Sequence, residues 1–372
     1  MKKESRKFTV TPWKIEGNIQ EEDYAKLTKE FGTEPLTNEL LERIKKHTGE
    51  LHYLLRRKIF FSHRDLKWLL DEYEKGNKFF LYTGRGPSGN VHLGHLLPWI
   101  LTKWLQDKFK AKLYFQMTDD EKFLVSQKLS LEETRNYAYE NALDVIALGF
   151  KPELTKIIID TENIKKLYPI ALKVAKKLTF STVKAVFGFD NATNVGMNFF
   201  TSIQSAPCFI ENKPCLIPLG IDQDPHFRIT RDIAPKLGFM KPALLHCKFA
   251  PGLGESGKMS ASQPETAIFT TDSEKDVEFK IRNAFTGGRE TIAKQKQLGG
   301  MPEKCTIYHY LLYFFEPDDK AMQEKFHACR MGQTYCGECK VKLAETINKF
   351  LREHQKKREL AKKQLGKFLM KD

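Results

Sequence analysis

Apolar residues fall into two rhythms along this chain, and the change between them marks out its elements. The short runs KFFLYT (78–83), AKLYFQM (111–117), TKIIID (155–160) and CLIPLG (215–220) predict strands. Behind the first lies a glycine-rich turn, GRGPSGN. Leu93, Leu96, Leu97, Ile100, Leu101, Trp104 and Leu105 then recur at helical spacing. Ser130 with Glu133 forms a capping box that starts a second helix through Ala138, Ala142, Leu143, Ile146 and Ala147, closed by Gly149. Strands alternating with helices in this way predict a parallel α/β sheet, with ligands at the carboxyl ends of its strands. Residues 1–75 mix short helical patterns with turn signals and read as an N-terminal extension to a sheet domain over 76–272. From 273 to 372 charged helical patterns take over, including YHYLLYFF from Tyr308, and predict a helical domain whose last helix packs back on the sheet domain.

At 372 residues the chain suits two or three domains. No run approaches the ~18 uninterrupted apolar residues of a membrane span, and the start carries basic residues with no apolar stretch behind them. The expectation is a soluble chain without a secretory signal, and no membrane. Seven cysteines, an odd number, fit reduced thiols of the cytoplasm better than a disulfide framework. The net charge is +14, and residues 340–372 alone hold eleven Lys/Arg against four Asp/Glu. Such a tail suits a polyanion. It equally suits a solvated helix, since Leu343, Ile347, Phe350 and Leu351 keep helical spacing. Both readings stay open.

Gly84-Arg85-Gly86-Pro87-Ser88-Gly89 matches a dinucleotide fingerprint between strand and helix. The segment Asn90-Val91-His92-Leu93 follows the last glycine, however, and the acidic end of the second strand falls too far on, which argues against a nicotinamide or flavin enzyme. His92-Leu93-Gly94-His95 is more specific: two imidazoles at a helix start, where orphan N–H groups already favour phosphate, with a glycine that admits a flat base. Downstream, Gly257-Lys258-Met259-Ser260-Ala261-Ser262 offers one cation and two hydroxyls to anionic oxygens.

Together these two segments resemble the HIGH and KMSKS signatures of the class I aminoacyl-tRNA synthetases. TPWKI, RRKIFFSHRD (56–65), LYTGRGPSG, FQMTDDEKFL (115–124), IQSAP (203–207), IDQDPHFRITRD (221–232), KPALLH (241–246) and FTGGR (285–289) resemble the eukaryotic-type cytosolic tryptophanyl-tRNA synthetases. The likeness runs from about Phe8 to the end of the chain. It implies a Rossmann-like catalytic domain, a helical anticodon-binding domain and a homodimer. It also implies L-tryptophan, ATP with Mg2+, and tRNA(Trp) as partners. By the same resemblance His92, His95, Lys258 and Ser260 are catalytic. Gly84, Arg85, Gly86, Gly94, Lys122 and Met259 bind ATP, and Tyr82, Gln116, Glu121, Gln204 and Gln223 bind tryptophan. Ala261 stands where the signature has a second lysine, and Arg85 with Lys122 is read as supplying the missing charge. Val10 to Trp13 resembles a hairpin over the ATP site, with Thr11 in place of aspartate. Cys336-Gly337-Glu338-Cys339 is a lone CxxC with His327 and Cys329 upstream, and is assigned no metal. Two alternatives are a tyrosyl enzyme of the same class and a non-catalytic RNA-binding paralogue.

Overall fold

The computed structural model describes residues 9–12, 15, 16, 19, 21–255, 257–260 and 263–372. The chain gathers into two compact units: Met1–Gly89 with Pro98–Lys248 and Glu359–Asp372, and Asn90–Leu97 with Phe249–Arg358.

In the first unit a hairpin pairs β1 (Thr9–Val10) with β2 (Ile15–Glu16). Trp13, the last residue of the hairpin anticipated from sequence, lies outside the described residues. Seven further strands form one sheet: β3 (Glu34–Pro35), β4 (Phe60–Arg64), β5 (Phe80–Arg85), β6 (Leu113–Met117), β7 (Thr155–Ile159), β8 (Cys215–Gly220) and β9 (Ala243–Cys247). Their order is β3-β4-β9-β8-β5-β6-β7. The four strands predicted from apolar runs appear as β5 to β8, and all pairings from β9 to β7 are parallel. Each residue of β6 and β9 is buried, as expected of strands covered on both faces.

The sheet is nevertheless mixed, because β4 runs antiparallel to β9. Residues read as an N-terminal extension thus enter the sheet, and β4 (FFSHR) escapes an apolar-run search because polar side chains are buried in it. Arg64 Nε and Nη2 donate to the Asp224 carboxylate at 2.7 and 2.9 Å, His246 Nε2 lies 3.0 Å from it, and Ser62 Oγ lies 3.1 Å from His246 Nδ1. Burial alone raises the Asp224 carboxyl, but His246 and Arg64 overcome that and hold it down at about 2. Removing Arg64 strips a buried carboxylate of its main cation, a loss of about 3–5 kcal/mol.

From β5 the chain builds outward through β6 and β7, then returns to lay β8 on the other side of β5. That reversal is the switch point at which open α/β sheets take ligands, outside the carboxyl ends of the strands. Trp99 reinforces this part of the core by packing edge-on against Phe115 of β6, with centroids 5.0 Å apart. The helix Leu131–Ala147 starts with the predicted capping box, and Gly149 takes φ +88°, which suits glycine. At the outer edge, Leu369 bridges Ile157 of β7 in parallel, Met370 N donates to Ile157 O at 2.8 Å, and Asn163 Nδ2 donates to Met370 O at 3.0 Å.

The second unit is chiefly helical among its described residues. Its helices include Glu274–Asn283, Ile292–Leu298, Thr306–Tyr310, Asp319–Arg330 and most of Cys336–Lys362. Leu343, Ile347 and Leu351 are buried, so the apolar stripe of the basic tail faces a core. No described helix is long and apolar enough to cross a membrane.

Candidate active site

In the first unit the chemistry gathers where the topology reverses. Tyr82 and Gly84 project from the same face of β5, and Gln116 on β6 lies opposite Gly84. A Cβ at Gly84 would sit 2.8 Å from the Gln116 carbonyl oxygen, so glycine lets the two strands close here. Gln116 Nε2 donates to both oxygens of Asp160, at 2.8 and 3.0 Å, which turns its Oε1 toward Tyr82. The Tyr82 hydroxyl has one proton and two acceptors, Gln116 Oε1 and Gln204 O, the latter at 3.1 Å. Its lone pairs are therefore the side offered to a donor. The Tyr82 ring rests edge-on against Phe227 at 5.6 Å, and burial pushes its hydroxyl well above the ordinary value.

Asp160 lies at the carboxyl end of β7 and is fully buried. Burial first and the neighbouring Asp120 second push its carboxyl well upward. Asp120, hydrogen-bonded to it, is pushed up to about 7, chiefly by burial. Burial and mutual repulsion together favour a proton held between the two carboxyls. Gln204, on the helix Val195–Ser205, presents a buried Oε1 that has no partner among the described residues. Gln223 turns its amide to Asp222, at 2.8 Å.

Glu121 accepts from Thr118 Oγ1 at 2.7 Å and from Lys122 Nζ at 2.8 Å. Gly86 leaves room for this pair, since a Cβ there would fall 2.8 Å from Glu121 Oε2 and 2.0 Å from Lys122 Cε. Arg85 Nε donates to Asn141 Oδ1 at 2.9 Å, and Asn141 Nδ2 donates to Gly89 O at 3.0 Å, fixing the glycine turn on the helix Leu131–Ala147. Burial lowers the Arg85 guanidinium to about 10, while Asp144 and Glu121 oppose the fall.

The second unit holds the other residues singled out from sequence. Residues 91–93 run against 268–270: His92 bridges Phe269, Leu93 N donates to Ile268 O at 2.9 Å, and Thr270 N donates to Val91 O at 2.9 Å. His92 N donates to His95 Nδ1 at 3.1 Å, so that ring nitrogen is an acceptor and His95 carries its proton on Nε2 when neutral. The two rings stack with centroids 3.5 Å apart. Gly94 N points at Met259 Sδ at 3.1 Å, and a Cβ on Gly94 would meet the His92 ring at 3.1 Å and that sulfur at 3.3 Å. Lys258 pairs backbone to backbone with Pro251 and holds its ammonium 5.7 Å from the Phe249 ring centre. Gly257 beside it takes φ +96°, and Ser260 bridges Gln263. Ala261 and Ser262 lie outside the described residues. Two imidazoles, one ammonium and a glycine-spaced backbone are groups able to bind and neutralise phosphate.

The model for the family tRNA synthetases class I (W and Y) matches residues 74–352. Over 364 residues the chain is 53% identical to the tryptophan–tRNA ligase of Pyrococcus abyssi, covering 97% of this chain and 94% of that one. This chain belongs to the class I tryptophanyl-tRNA synthetases. Solved structures of the same kind agree. The tryptophanyl-tRNA synthetase of Plasmodium falciparum is 41% identical with TM-score 0.86, over 91% of this chain and 94% of that one. The Encephalitozoon cuniculi enzyme, solved bound to tryptophan, is 36% identical with TM-score 0.86, over 94% and 98%.

For this synthetase the motif reading omitted Asp160, Asp120, Asn141 and Phe227, which hold the motif residues in place. Asp160 had a usable signal: it ends TKIIID, at the carboxyl end of a predicted parallel strand. Asn141 had none, because it sits mid-helix among apolar positions and acts through its contact with Arg85.

Proposed function

We propose that this synthetase activates L-tryptophan with ATP and esterifies the 3′ end of tRNA(Trp), its two clusters taking different parts of the reaction. In the first step the tryptophan carboxylate attacks the α-phosphorus, a new oxygen–phosphorus bond forms, and pyrophosphate leaves with the electron pair of the broken bond. In the second a terminal ribose hydroxyl attacks the acyl carbon and AMP departs. Tyr82 accepts the indole N–H on its lone pairs, Gln116 orients Tyr82, and Glu121, Gln204 and Gln223 take the ammonium and its polar surroundings. His92, His95, Lys258 and Ser260 stabilise charge on the transferring phosphate, Gly94 and Met259 lie against the adenine, and Gly84, Arg85, Gly86 and Lys122 frame the nucleotide. These are positioning and electrostatic roles, with no covalent enzyme intermediate.

The observation that carries this reading is the buried Gln204 Oε1 with no partner among the described residues, set beside a Tyr82 hydroxyl whose proton is committed. A buried acceptor left empty is costly, and a ligand carrying both an ammonium and a ring N–H satisfies this pair. Magnesium enters with ATP. It is carried largely by the phosphates and water.

Residues 273–372 serve as the anticodon-binding domain, a role their basic helices suit. The chain works in the cytoplasm, in keeping with seven free cysteines. It acts as a homodimer: Ile164, Tyr168 and Leu172 repeat at helical spacing and are exposed, a stripe that a second copy would cover. The eukaryotic cytosolic type is supported by the Plasmodium falciparum likeness, although the Pyrococcus abyssi relative, more alike at 53%, is archaeal. The test is ATP–pyrophosphate exchange with each of the twenty amino acids, repeated with Lys258→Ala. Exchange with tryptophan alone, lost in the variant, is the expected result; exchange with tyrosine moves the chain to the tyrosyl enzymes, and none favours a silent paralogue.

A further inference from the structure

The buried carboxyl beneath Gln116 does more than hold a side chain still. An amide carries oxygen on one arm and N–H on the other, so the group it leans on decides which arm faces a ligand. Gln116 lies opposite Ile158 of β7, and Asp160, two residues on, projects from the same face of the sheet. Both Asp160 oxygens accept from Gln116 Nε2, at 2.8 and 3.0 Å, which leaves Oε1 for the Tyr82 hydroxyl. Turned the other way, Gln116 would set its own oxygen against two carboxyl oxygens.

The main chain holds Asp160 to this task from three sides. Its own N–H donates to Met117 O at 3.2 Å, extending the β6–β7 ladder by one bond. The next residue is tied to the helix Asp119–Val125, since Thr161 N donates to Asp119 Oδ1 at 3.1 Å. On the other side, Ile159 N donates to Asn163 Oδ1 at 3.0 Å.

The acid proton is the remaining variable. A solitary protonated Asp160 could give that proton to Gln116 Oε1 and so reverse the amide. Asp120, in the first turn of Asp119–Val125, closes this route because it is hydrogen-bonded to Asp160 and draws the proton to its own side. Asp120 Oδ1 in turn accepts from Glu121 N at 2.8 Å, so one of its oxygens is committed to the backbone. Direction therefore passes along one line, from Asp120 through Asp160 and Gln116 to Tyr82.

We propose that Asp160, backed by Asp120, is a specificity-determining positioning residue: the carboxyl pair fixes the direction of the Gln116 amide and through it makes Tyr82 an acceptor, so that the site admits a ring N–H and rejects a ring that carries only an acceptor there. The inference rests on the tryptophan reading above, and it adds two residues that act through Gln116. Ile158 and Phe227 are buried beside this line and bring no side-chain donor or acceptor that could take over its role.

The test compares tryptophan with its benzofuran isostere, whose ring oxygen replaces the indole N–H, by calorimetric titration of the full chain. Wild type should bind tryptophan about 10²-fold more tightly than the isostere. Asp160→Ala frees the Gln116 amide to turn, and should shrink that preference to below about tenfold. Asp160→Asn should restore it, because an amide at 160 gives its NH2 to Asp120 and its oxygen to Gln116. The double variant Asp120→Asn/Asp160→Asn should lose it again. There the amide at 120 keeps its oxygen on the Glu121 N–H and turns its NH2 to residue 160, which reverses every amide down the line. A merely structural role would weaken both ligands alike and leave their ratio unchanged. If Asp160→Ala fails to fold, the isosteric amides decide the matter without it. A preference that survives the double variant, or is already lost in Asp160→Asn, overturns the proposal and leaves the tryptophan reading standing. A wild type that binds neither ligand, or both equally, overturns the two together.

Discussion

The cluster around Tyr82 is closed on itself, whereas the cluster around His92 is held mainly by backbone. In the first, Tyr82, Gln116, Asp160 and Asp120 form one chain of side-chain hydrogen bonds rooted in adjacent strands. In the second, main-chain pairings of residues 91–93 and 258–260 set the positions, and the Lys258 ammonium lies over the Phe249 ring. The difference suits the ligands we propose for the two clusters. An indole and an ammonium are told from their analogues by buried donors and acceptors that must already be in place. A triphosphate is recognised by charge, which tolerates movement and gains most when it arrives late, in the transition state.

The largest effect that tests this contrast is expected from Lys258→Ala. Single-turnover adenylate formation should slow by about 10²–10³-fold, with tryptophan affinity unchanged; an equal loss in tryptophan affinity breaks the contrast. Tyr82→Phe should do the reverse. It removes the acceptor proposed for the indole N–H, leaving that donor buried and unpaired at about 1–3 kcal/mol, so tryptophan binding should weaken by roughly 5–150-fold while the KM for ATP stays put. Calorimetric titration of tryptophan decides this.

Next come the paired glycines. Gly84→Ala drives a methyl into the Gln116 carbonyl, whereas Gly94→Ala meets side-chain atoms that can yield. The first should lower Tm by about 2–4 °C, and the second should leave Tm alone and raise the KM for ATP a few-fold. The smallest effect concerns pH. Asp120 and Asp160 both have raised pKa values when folded, so the folded protein keeps protons that the unfolded chain releases near pH 4. Stability therefore falls as pH rises from about 4 to about 7, and stays lowered above that. Asp120→Asn should flatten this slope and raise Tm at pH 8 by about 2 °C.

Much of the parallel sheet was legible, because β5 to β8 are apolar runs and the turns after them carry motifs. β4 was not, since Ser62 and Arg64 find their polar partners in His246 and Asp224, some 160 to 184 residues away in sequence. His92, Gly94 and Lys258 could be picked out as motif members; that His95 accepts from the His92 backbone could not, because hydrogen-bond direction depends on three-dimensional placement.

The pairing of Leu369 and Met370 onto β7 also sets a timetable. The groups that cover this edge lie 207 residues beyond Asn163. At roughly 5–20 residues per second of synthesis, β7 waits about 10–40 s before its partner emerges. Throughout that interval a buried-type strand presents unpaired backbone to its surroundings, the condition under which sheets join the wrong neighbour. Speed of translation through residues 160–370, and any chaperone that shields this edge meanwhile, thus bears on how much of the newly made enzyme reaches its native state.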